Sequence, residues 1–301
     1  MQHAKPGALE ALAPNPPGCD LGADPTAPAN AVRIHGTELI LDALVDPSIR
    51  DPEWQAMQRA RLHAAQPFPH LVIENLFNPT LLRLVEQEFD DFSGWTSHSN
   101  RYENTRRSPL GAALGPAAQL YFDTINSGWF TQHLSAITGV PYLLSDPLLF
   151  GGGLHESRKG SRFEIHRDFA RHRHVGLKNE MVFITYLNEN WDPEWGGALE
   201  LWNASRTRCI TQVLPEFGRT LLMPHGLATY HGHPHPLATP AEVARRSVAA
   251  YYYTSPQAGR TREDEMSSDF IRVRPLDRIK SAARLITPPV LWSAMRKIRR
   301  S

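Results

Sequence analysis

The spacing of apolar residues along the chain changes near residue 145. Before that point, NPTLLRLVEQEFDDF carries apolar residues at helical spacing after Asn78, a good N-cap, and Pro79, which suits a first helical turn. A second helical region, PAAQLYFDTINSGWFTQHLSAITG, ends at Gly139, a common helix stop. After it, MVFITYLN, ALELW, RTLLMP and SVAAYYYT are short, rich in β-branched and aromatic residues, and separated by turn-forming residues. The pattern predicts supporting helices followed by a β core.

Composition at the two ends divides the chain further. Residues 1–30 are rich in Ala, Pro and Gly, which predicts a flexible tail. We predict helical and strand support over 31–145, a β barrel over 146–256 and a basic extension over 257–301. The apolar strand of PFPHLVIENLF belongs with the barrel, so the barrel domain as a whole spans about 67–256. The extension ends in PPVLWSAMRKIRRS, a predicted helix with an apolar and a basic face. We expect it to dock on the barrel, with weak membrane-surface contact as the alternative.

Charge and cysteine content narrow the partners and the compartment. The 301 residues carry a formal net charge of +1, so there is no overall electrostatic reason to expect a nucleic-acid partner. The two cysteines, Cys19 and Cys209, form neither a disulfide framework nor a zinc site, and no apolar run is long enough to span a membrane. We therefore expect a cytoplasmic protein. Its oligomeric state is not predicted.

The segment RFEIHRDFARHRH contains the first candidate metal ligands. If FEIHRDF is a strand, residues two apart share a face, so His166 and Asp168 can offer an imidazole and a carboxylate to one ion. His172 and His174 follow in a loop, where we expect them to face solvent or to contact substrate. A third ligand is needed elsewhere.

A second histidine cluster, YHGHPHP, supplies candidates for that ligand. It contains His231, His233 and His235 and lies after the predicted strand RTLLMP. Two histidines and one carboxylate, held by strands with open coordination positions, form the facial triad that suits Fe(II) in oxygen chemistry. Iron is therefore the leading metal, and zinc is the alternative because the same ligands also bind zinc.

The predicted strand RRSVAAYYYT carries a candidate anion site. Arg245 and Ser247 share one face of this strand. If the Arg245 guanidinium is buried in the barrel it needs a carboxylate partner, and a dicarboxylate co-substrate can supply one.

Five stretches in this order resemble the 2-oxoglutarate- and Fe(II)-dependent dioxygenases of the prolyl 4-hydroxylase-like family, particularly its bacterial branch. The resemblance runs from about residue 67 to 256 and rests on PFPHLVIENLF, GGGLHESRKGSRFEIHRDF, ITYLNENWDPEWGGALELW, GRTLLMPHGLATYHGHPHPL and RRSVAAYYYT. It implies an α+β, mainly β fold with a double-stranded β-helix core, of jelly-roll or cupin-like type, and N-terminal supporting helices. It also implies that His166, Asp168 and His231 bind the metal, and that Arg245, Tyr186 and Ser247 bind 2-oxoglutarate. If the register is shifted by one, Arg246 replaces Arg245.

The resemblance implies an oxidoreductase with Fe(II), 2-oxoglutarate as co-substrate, dioxygen, and ascorbate as an accessory reductant. The expected reaction is hydroxylation of an unactivated C–H bond, with 2-oxoglutarate converted to succinate and carbon dioxide. A prolyl residue, a free amino acid, a sugar and another metabolite are all compatible substrates, since a fold does not fix its substrate. Two other classes stay open: a zinc-dependent hydrolase or isomerase on a cupin-like barrel, and a non-catalytic binding barrel. Arg101, Tyr102, Arg106 and Arg107 in NRYENTRRS can line the barrel mouth, although we favour a solvated loop.

Overall fold

Residues 30–256 are described in the computed structural model of the protein. The predicted flexible tail up to residue 29 and the predicted basic extension from residue 257 therefore lie outside the described residues. The helices within this range are α1 (Pro52–Ala64), α2 (Pro79–Asp91), α3 (Pro116–Asn126) and α4 (Gly128–Thr138), with 3₁₀ turns at Leu41–Ala43, Pro47–Arg50 and Pro193–Trp195. None of the helices in this part of the chain is both long enough and apolar enough to cross a membrane.

The strands outnumber the helices, and eight of the thirteen lie in the second half of the described chain. They are β1 (Ala31–Ile34), β2 (Thr37–Ile40), β3 (Leu71–Ile73), β4 (Thr96–Ser99), β5 (Glu103–Arg107), β6 (Gly153–Ser157), β7 (Arg162–His166), β8 (Lys178–Tyr186), β9 (Leu199–Trp202), β10 (Cys209–Val213), β11 (Thr220–Pro224), β12 (Tyr230–His233) and β13 (Arg245–Thr254). Strands β1 and β2 form a separate hairpin.

The other eleven strands form one curled antiparallel sheet. Its order is β10-β9-β12-β7-β5-β6-β13-β8-β11-β3, and β4 pairs with β5 at the side of this path. This mainly β architecture with a few helices is that of a double-stranded β-helix, as predicted. Strands β3 and β5 precede residue 145 and still pair within the large sheet. The division of the chain at residue 145 stays a prediction.

Single residues of the sequence set where the helices begin and end. The Asn78 side chain accepts hydrogen bonds from the backbone of Thr80 and Leu81, so it caps α2 as predicted. The second helical region is two helices instead of one, because Ser127 adopts an extended backbone (ψ 150°) and its side chain caps α4. Gly139 ends α4 in the left-handed conformation (φ 78°), as expected of a terminal glycine.

The two faces of the sheet meet different surroundings. On β8, Phe183 packs on the helix side, with its ring 5.5 Å from that of Phe130 in α4. The alternate residues Val182, Ile184 and Tyr186 line a cavity on the other side. The period of two along each strand therefore separates a helix-covered core from the interior of the curled sheet.

Candidate active site

Three of the predicted metal ligands converge at one point in the interior of the sheet. His166 ends β7, Asp168 follows two residues later, and His231 lies opposite His166 on the neighbouring strand β12. The His166 Nε2 is 3.4 Å from one carboxylate oxygen of Asp168, and the His231 Nε2 is 3.6 Å from the other. Candidate ligand atoms from all three residues lie within 4.8 Å of one another. Among the described residues no other group meets this criterion.

The backbone fixes which imidazole nitrogen is available. The Nδ1 of His166 is 2.8 Å from the carbonyl oxygen of Glu164, and the Nδ1 of His231 is 3.1 Å from that of Thr229. Each Nδ1–H therefore donates to a backbone carbonyl, which leaves the Nε2 lone pair facing Asp168. Burial also lowers the pKa of His231 to about 4, so this ring is neutral at neutral pH.

The ligands are held close together by a tight approach of strands β12 and β7. Gly232, next to His231, has no Cβ, and a Cβ at this position would lie 2.7 Å from the backbone oxygens of Phe163 and Glu164. Any larger residue would push the two strands apart. Gly232 therefore has a local steric role, since it lets the two strands come close together.

A cavity of about 280 Å³ lies against these ligands. Its walls include all six residues predicted to bind the metal or the co-substrate: His166, Asp168, Tyr186, His231, Arg245 and Ser247. Tyr186 and Ser247 are directly opposite each other on β8 and β13. The predicted site residues therefore share one cavity, although they are far apart in the sequence.

Arg245 is a buried cation in this cavity. Its Nε donates to the carbonyl oxygen of Gly197 at 2.7 Å, and an Nη lies 3.5 Å from the Tyr186 hydroxyl. Its guanidinium carbon also lies 5.0 Å from the centre of the Tyr186 ring. In the described part of the chain no carboxylate forms an ion pair with Arg245, and burial lowers its pKa. A buried guanidinium in this state favours binding of an anion.

The next residue, Arg246, has the opposite environment. It points to the helix side, where its guanidinium contacts Glu156, at 3.2 Å, Glu86, at 2.5 Å, and Asp90. Burial lowers the pKa of Arg246, but Asp90 and Glu86 outweigh this effect and raise it. Since Arg246 is already paired, Arg245 is the arginine available for a ligand.

The other histidines near the ligand group differ in burial and in their distance from it. His233 is buried and lines the cavity, but it is not within reach of the ligand group. His235 is exposed, 3.7 Å from Glu200. His225 has a buried ring stacked near Tyr251, and its Nε2 is 3.7 Å from Asp168. His225 is thus a further neighbour of the metal site.

His172 does not face solvent, contrary to one of the two expectations for it. It is 6% exposed, and its Nδ1 accepts hydrogen bonds from the backbone of His174 and Val175. Its Nε2 therefore carries the proton and donates to Asp146 at 3.1 Å. The His172 side chain thus holds the loop that follows β7 in place. His174 is the exposed histidine of this loop.

The segment NRYENTRRS is not the solvated loop that we favoured. Five of its nine residues form β5, which lies between β6 and β7 in the sheet, and the alternate residues Glu103, Thr105 and Arg107 line the cavity. Arg106 points to the other side and pairs with Glu156 at 2.6 Å. The sequence ENTRR contains no apolar residue, so the alternation of apolar and polar positions that identifies a strand is absent here.

The donor set fits Fe(II). Two imidazoles present unprotonated Nε2 atoms to an aspartate, and one Asp168 oxygen is buried without a hydrogen-bond partner in the described residues. A cation between these atoms would satisfy all three groups. Two histidines and one carboxylate beside an open cavity are the ligand set of non-haem Fe(II) oxygenases.

Comparison with known proteins supports this class. Residues 152–253 match the family model of the 2OG-Fe(II) oxygenase superfamily. A prolyl hydroxylase from Trichoplax adhaerens, solved with a hypoxia inducible factor oxygen degradation domain peptide fragment, has a TM-score of 0.52 at 16% identity over 73% of this chain and 95% of that chain. At this level of identity the likeness shows the fold. No curated protein sequence matched the chain.

Two further solved structures are similar at lower TM-scores. A prolyl 4-hydroxylase from Pseudomonas putida has a TM-score of 0.47 at 16% identity, over 66% of this chain and 99% of that chain. HygX from Streptomyces hygroscopicus, solved with nickel, 2-oxoglutarate and hygromycin B, has a TM-score of 0.44 at 16% identity, over 62% of this chain and 83% of that chain.

Residues 152–253 thus form a domain of the 2OG-Fe(II) oxygenase superfamily, which confirms the resemblance read from the sequence. The protein is a dioxygenase that uses Fe(II) and 2-oxoglutarate, with dioxygen implied. Ascorbate as a reductant stays a prediction. The domain assignment also favours iron over the zinc hydrolase and the binding-barrel alternatives.

Proposed function

We propose that the protein hydroxylates an unactivated C–H bond of a small organic substrate at the His166, Asp168 and His231 site. The observation that carries this proposal is the position of Arg245, a buried cation that shares the cavity with the ligand group and has no carboxylate partner among the described residues. A 2-oxoglutarate bound to the metal through its keto acid end would place its far carboxylate on such a cation.

The metal-binding residues have distinct tasks in this proposal. Fe(II), when bound, supplies the oxygen chemistry in which 2-oxoglutarate is decarboxylated to succinate and a substrate C–H bond is oxidised. His166 and His231 present their Nε2 lone pairs, and their Nδ1 bonds to backbone carbonyls hold both rings in place. Asp168 would supply negative charge as the third protein ligand of the metal. A carboxylate ligand at that position favours hydroxylation over halogenation, because a halogenase leaves the position to a halide.

The co-substrate residues orient 2-oxoglutarate. Arg245 pairs with its far carboxylate, and the hydroxyls of Tyr186 and Ser247 donate to the same group from neighbouring strands. Gly197 fixes the arginine by accepting its Nε–H. Gly197 has a positive φ of 73°, and a Cβ there would lie 3.2 Å from the Arg245 side chain. Apolar walls from Val182, Ile184 and Leu199 limit the access of water.

The proposal is tested by oxygen incorporation. Purified protein is supplied with Fe(II), 2-oxoglutarate, ascorbate and a substrate panel that contains free amino acids, prolyl peptides and sugars, in air enriched in ¹⁸O₂. We expect one substrate class to gain a single ¹⁸O atom with a matching amount of succinate. A prolyl peptide belongs in the panel because the Trichoplax adhaerens protein was solved with a peptide.

Two outcomes would contradict hydroxylation. A product formed without consumption of 2-oxoglutarate would support the hydrolase or isomerase alternative, and a panel member that is bound but never changed would support a binding barrel. His231→Ala must abolish the oxygen transfer. The matched variant His235→Ala, from the same histidine cluster but exposed, must not.

A further inference from the structure

Strand β5 places an ion pair of Glu103 and Arg107 on the cavity wall, away from the co-substrate residues. Arg107 lies opposite His155 on β6, and His155 lies opposite Ser247 on β13. Two strand spacings, about 10 Å, therefore separate the backbone of Arg107 from that of Ser247. The pair is thus on a part of the wall that 2-oxoglutarate held by Arg245 does not need.

The same pair is close to the metal ligands. Glu103 lies opposite Phe163 on β7, and the Arg107 guanidinium carbon is 5.9 Å from the centre of the Phe163 ring. The Phe163 ring in turn stacks on His166, with a centroid distance of 3.9 Å. A molecule that contacts the pair would therefore lie beside the metal site, where the substrate of an oxygenase must be.

Neither member of the pair is fully used by the protein. One carboxylate oxygen of Glu103, Oε1, accepts hydrogen bonds from both Thr105 and Arg107, and within residues 30–256 no hydrogen bond is found to the other oxygen, Oε2. The Arg107 Nε is buried without a partner among these residues. An acceptor and a donor of opposite charge are thus free side by side on the cavity wall.

His155 extends the polar part of the wall toward Ser247. Burial lowers the pKa of His155 to about 3, with further contributions from Arg107 and Arg245, so the ring is neutral. Its Nε2 is buried and has no hydrogen-bond partner in the described chain. Desolvating an ion pair and an imidazole for an apolar substrate would be costly, so this wall favours a substrate with charged or strongly polar groups.

From this geometry we infer that the substrate is a small zwitterion of the amino-acid class. Its carboxylate accepts from the Arg107 Nε, and its ammonium donates to the free Glu103 Oε2. Size supports a small molecule, because the cavity of about 280 Å³ must also hold 2-oxoglutarate, and sites for small ligands usually span ~300–1,000 Å³. This inference rests on the proposed function, since it assigns the substrate of the same site.

The test compares free and capped amino acids. The full-length protein, loaded with Fe(II) and 2-oxoglutarate, is assayed for succinate and for a mass gain of one oxygen with the twenty free L-amino acids. The best substrate is then assayed as its N-acetyl and its carboxamide derivative. We expect each cap to lower kcat/KM by about tenfold to a hundredfold, the range for a lost hydrogen bond to a charged group.

Two variants separate recognition from a structural role. Glu103→Gln should lower kcat/KM for the free amino acid about tenfold or more while leaving that for the N-acetyl derivative unchanged. Arg107→Gln should show the corresponding pattern with the carboxamide. Arg101→Gln, an exposed arginine just before β5, is the matched control and should change neither value.

The outcomes that overturn the inference differ from those that overturn the proposed function. Turnover of capped prolyl peptides or sugars in preference to every free amino acid overturns the substrate class, and so does an equal loss on all substrates in both variants. If anaerobic protein shows the visible charge-transfer band with Fe(II) and 2-oxoglutarate but no free amino acid is turned over, only the inference fails. If the band is absent, the proposed function fails.

Discussion

The two faces of strand β13 give the adjacent residues Arg245 and Arg246 opposite surroundings. Arg246 faces the helices, and three carboxylates surround it. Arg245 faces the cavity, where its contacts are a backbone carbonyl and the Tyr186 hydroxyl and ring. A sheet can bury a cation with its protein partners for stability, or without them so that a ligand completes the pair. The difference between these faces distinguishes a structural arginine from one available for binding.

The histidine cluster YHGHPHP also combines a residue that faces the cavity, His231, with an exposed one, His235. Substitution of His231 should have the largest effect on activity of the changes considered. His231→Ala removes a proposed metal ligand, so Fe(II)-dependent succinate formation should fall by more than about a hundredfold, beyond the loss expected for an outer-shell group. His235→Ala alters an exposed ring and should retain the activity. Equal activity of the two variants would contradict the assignment of the distal ligand.

Substitution on the cavity face of β13 should change the affinity for 2-oxoglutarate. Arg245→Gln removes the charge that pairs with the far carboxylate, and we expect the KM for 2-oxoglutarate to rise about tenfold to a hundredfold. Steady-state kinetics with 2-oxoglutarate as the varied substrate measure this effect. The exposed Arg208→Gln is the control, and an unchanged KM in Arg245→Gln would contradict the account.

Substitution on the helix face should change stability instead. Arg246→Gln leaves Glu156, a fully buried carboxylate, with Arg106 and Arg158 as its remaining partners within residues 30–256. The free energy of unfolding should fall by about 2 kcal/mol, below the full cost of breaking a buried ion pair because these partners remain. Urea denaturation measures the loss. The KM for 2-oxoglutarate should stay near the wild-type value, and a tenfold rise would remove the distinction between the two faces.

A smaller change tests the strand next to β13. Tyr186→Phe keeps the buried ring beneath Arg245 but removes the hydroxyl, so the KM for 2-oxoglutarate should rise only about threefold to tenfold. The same kinetic assay detects it. A larger effect than that of Arg245→Gln would mean that the hydroxyl, and not the guanidinium, dominates co-substrate binding.

The buried histidines should make the metal-free protein sensitive to acid. Burial lowers the pKa of His155 to about 3, below its value in the unfolded chain, so the unfolded state binds the proton first as pH falls. The contribution of this residue to stability is then complete above pH ~6.5 and decreases toward pH ~3, by roughly 1 kcal/mol between pH 7.5 and 5.5. Urea denaturation of wild type and His155→Gln should show a weaker pH dependence in the variant. Identical pH profiles would contradict the burial of this ring.

Much of the site was predictable because its residues follow the period of two. His166 with Asp168, and Arg245 with Ser247, were assigned to common faces from alternation, and the structure places all four on one cavity. The choice of Arg245 over Arg246 was open in the sequence. It depends on which face meets the helices, and that is decided by the contacts of Arg246 with α2 across a long sequence separation.

What the sequence did not predict is tertiary in origin. Helix α1 and strand β5 lack a strong apolar period, and β5 is ordered by pairing with β6 and β7 on either side. The break between α3 and α4 follows from one residue, Ser127, whose side chain caps the second helix. The burial of His172 depends on Asp146, from the loop before β6. Each of these features depends on partners that local patterns do not contain.

The central claim is that the His166, Asp168 and His231 site binds Fe(II) together with a 2-oxoglutarate anchored by Arg245. The most direct test is an anaerobic titration of the wild-type protein with Fe(II) and then 2-oxoglutarate, followed by visible absorption, with Arg245→Gln in parallel. We predict a weak charge-transfer band that saturates in wild type and needs at least about tenfold more 2-oxoglutarate in the variant. Absence of the band in wild type, or identical titrations of the two proteins, would contradict the claim.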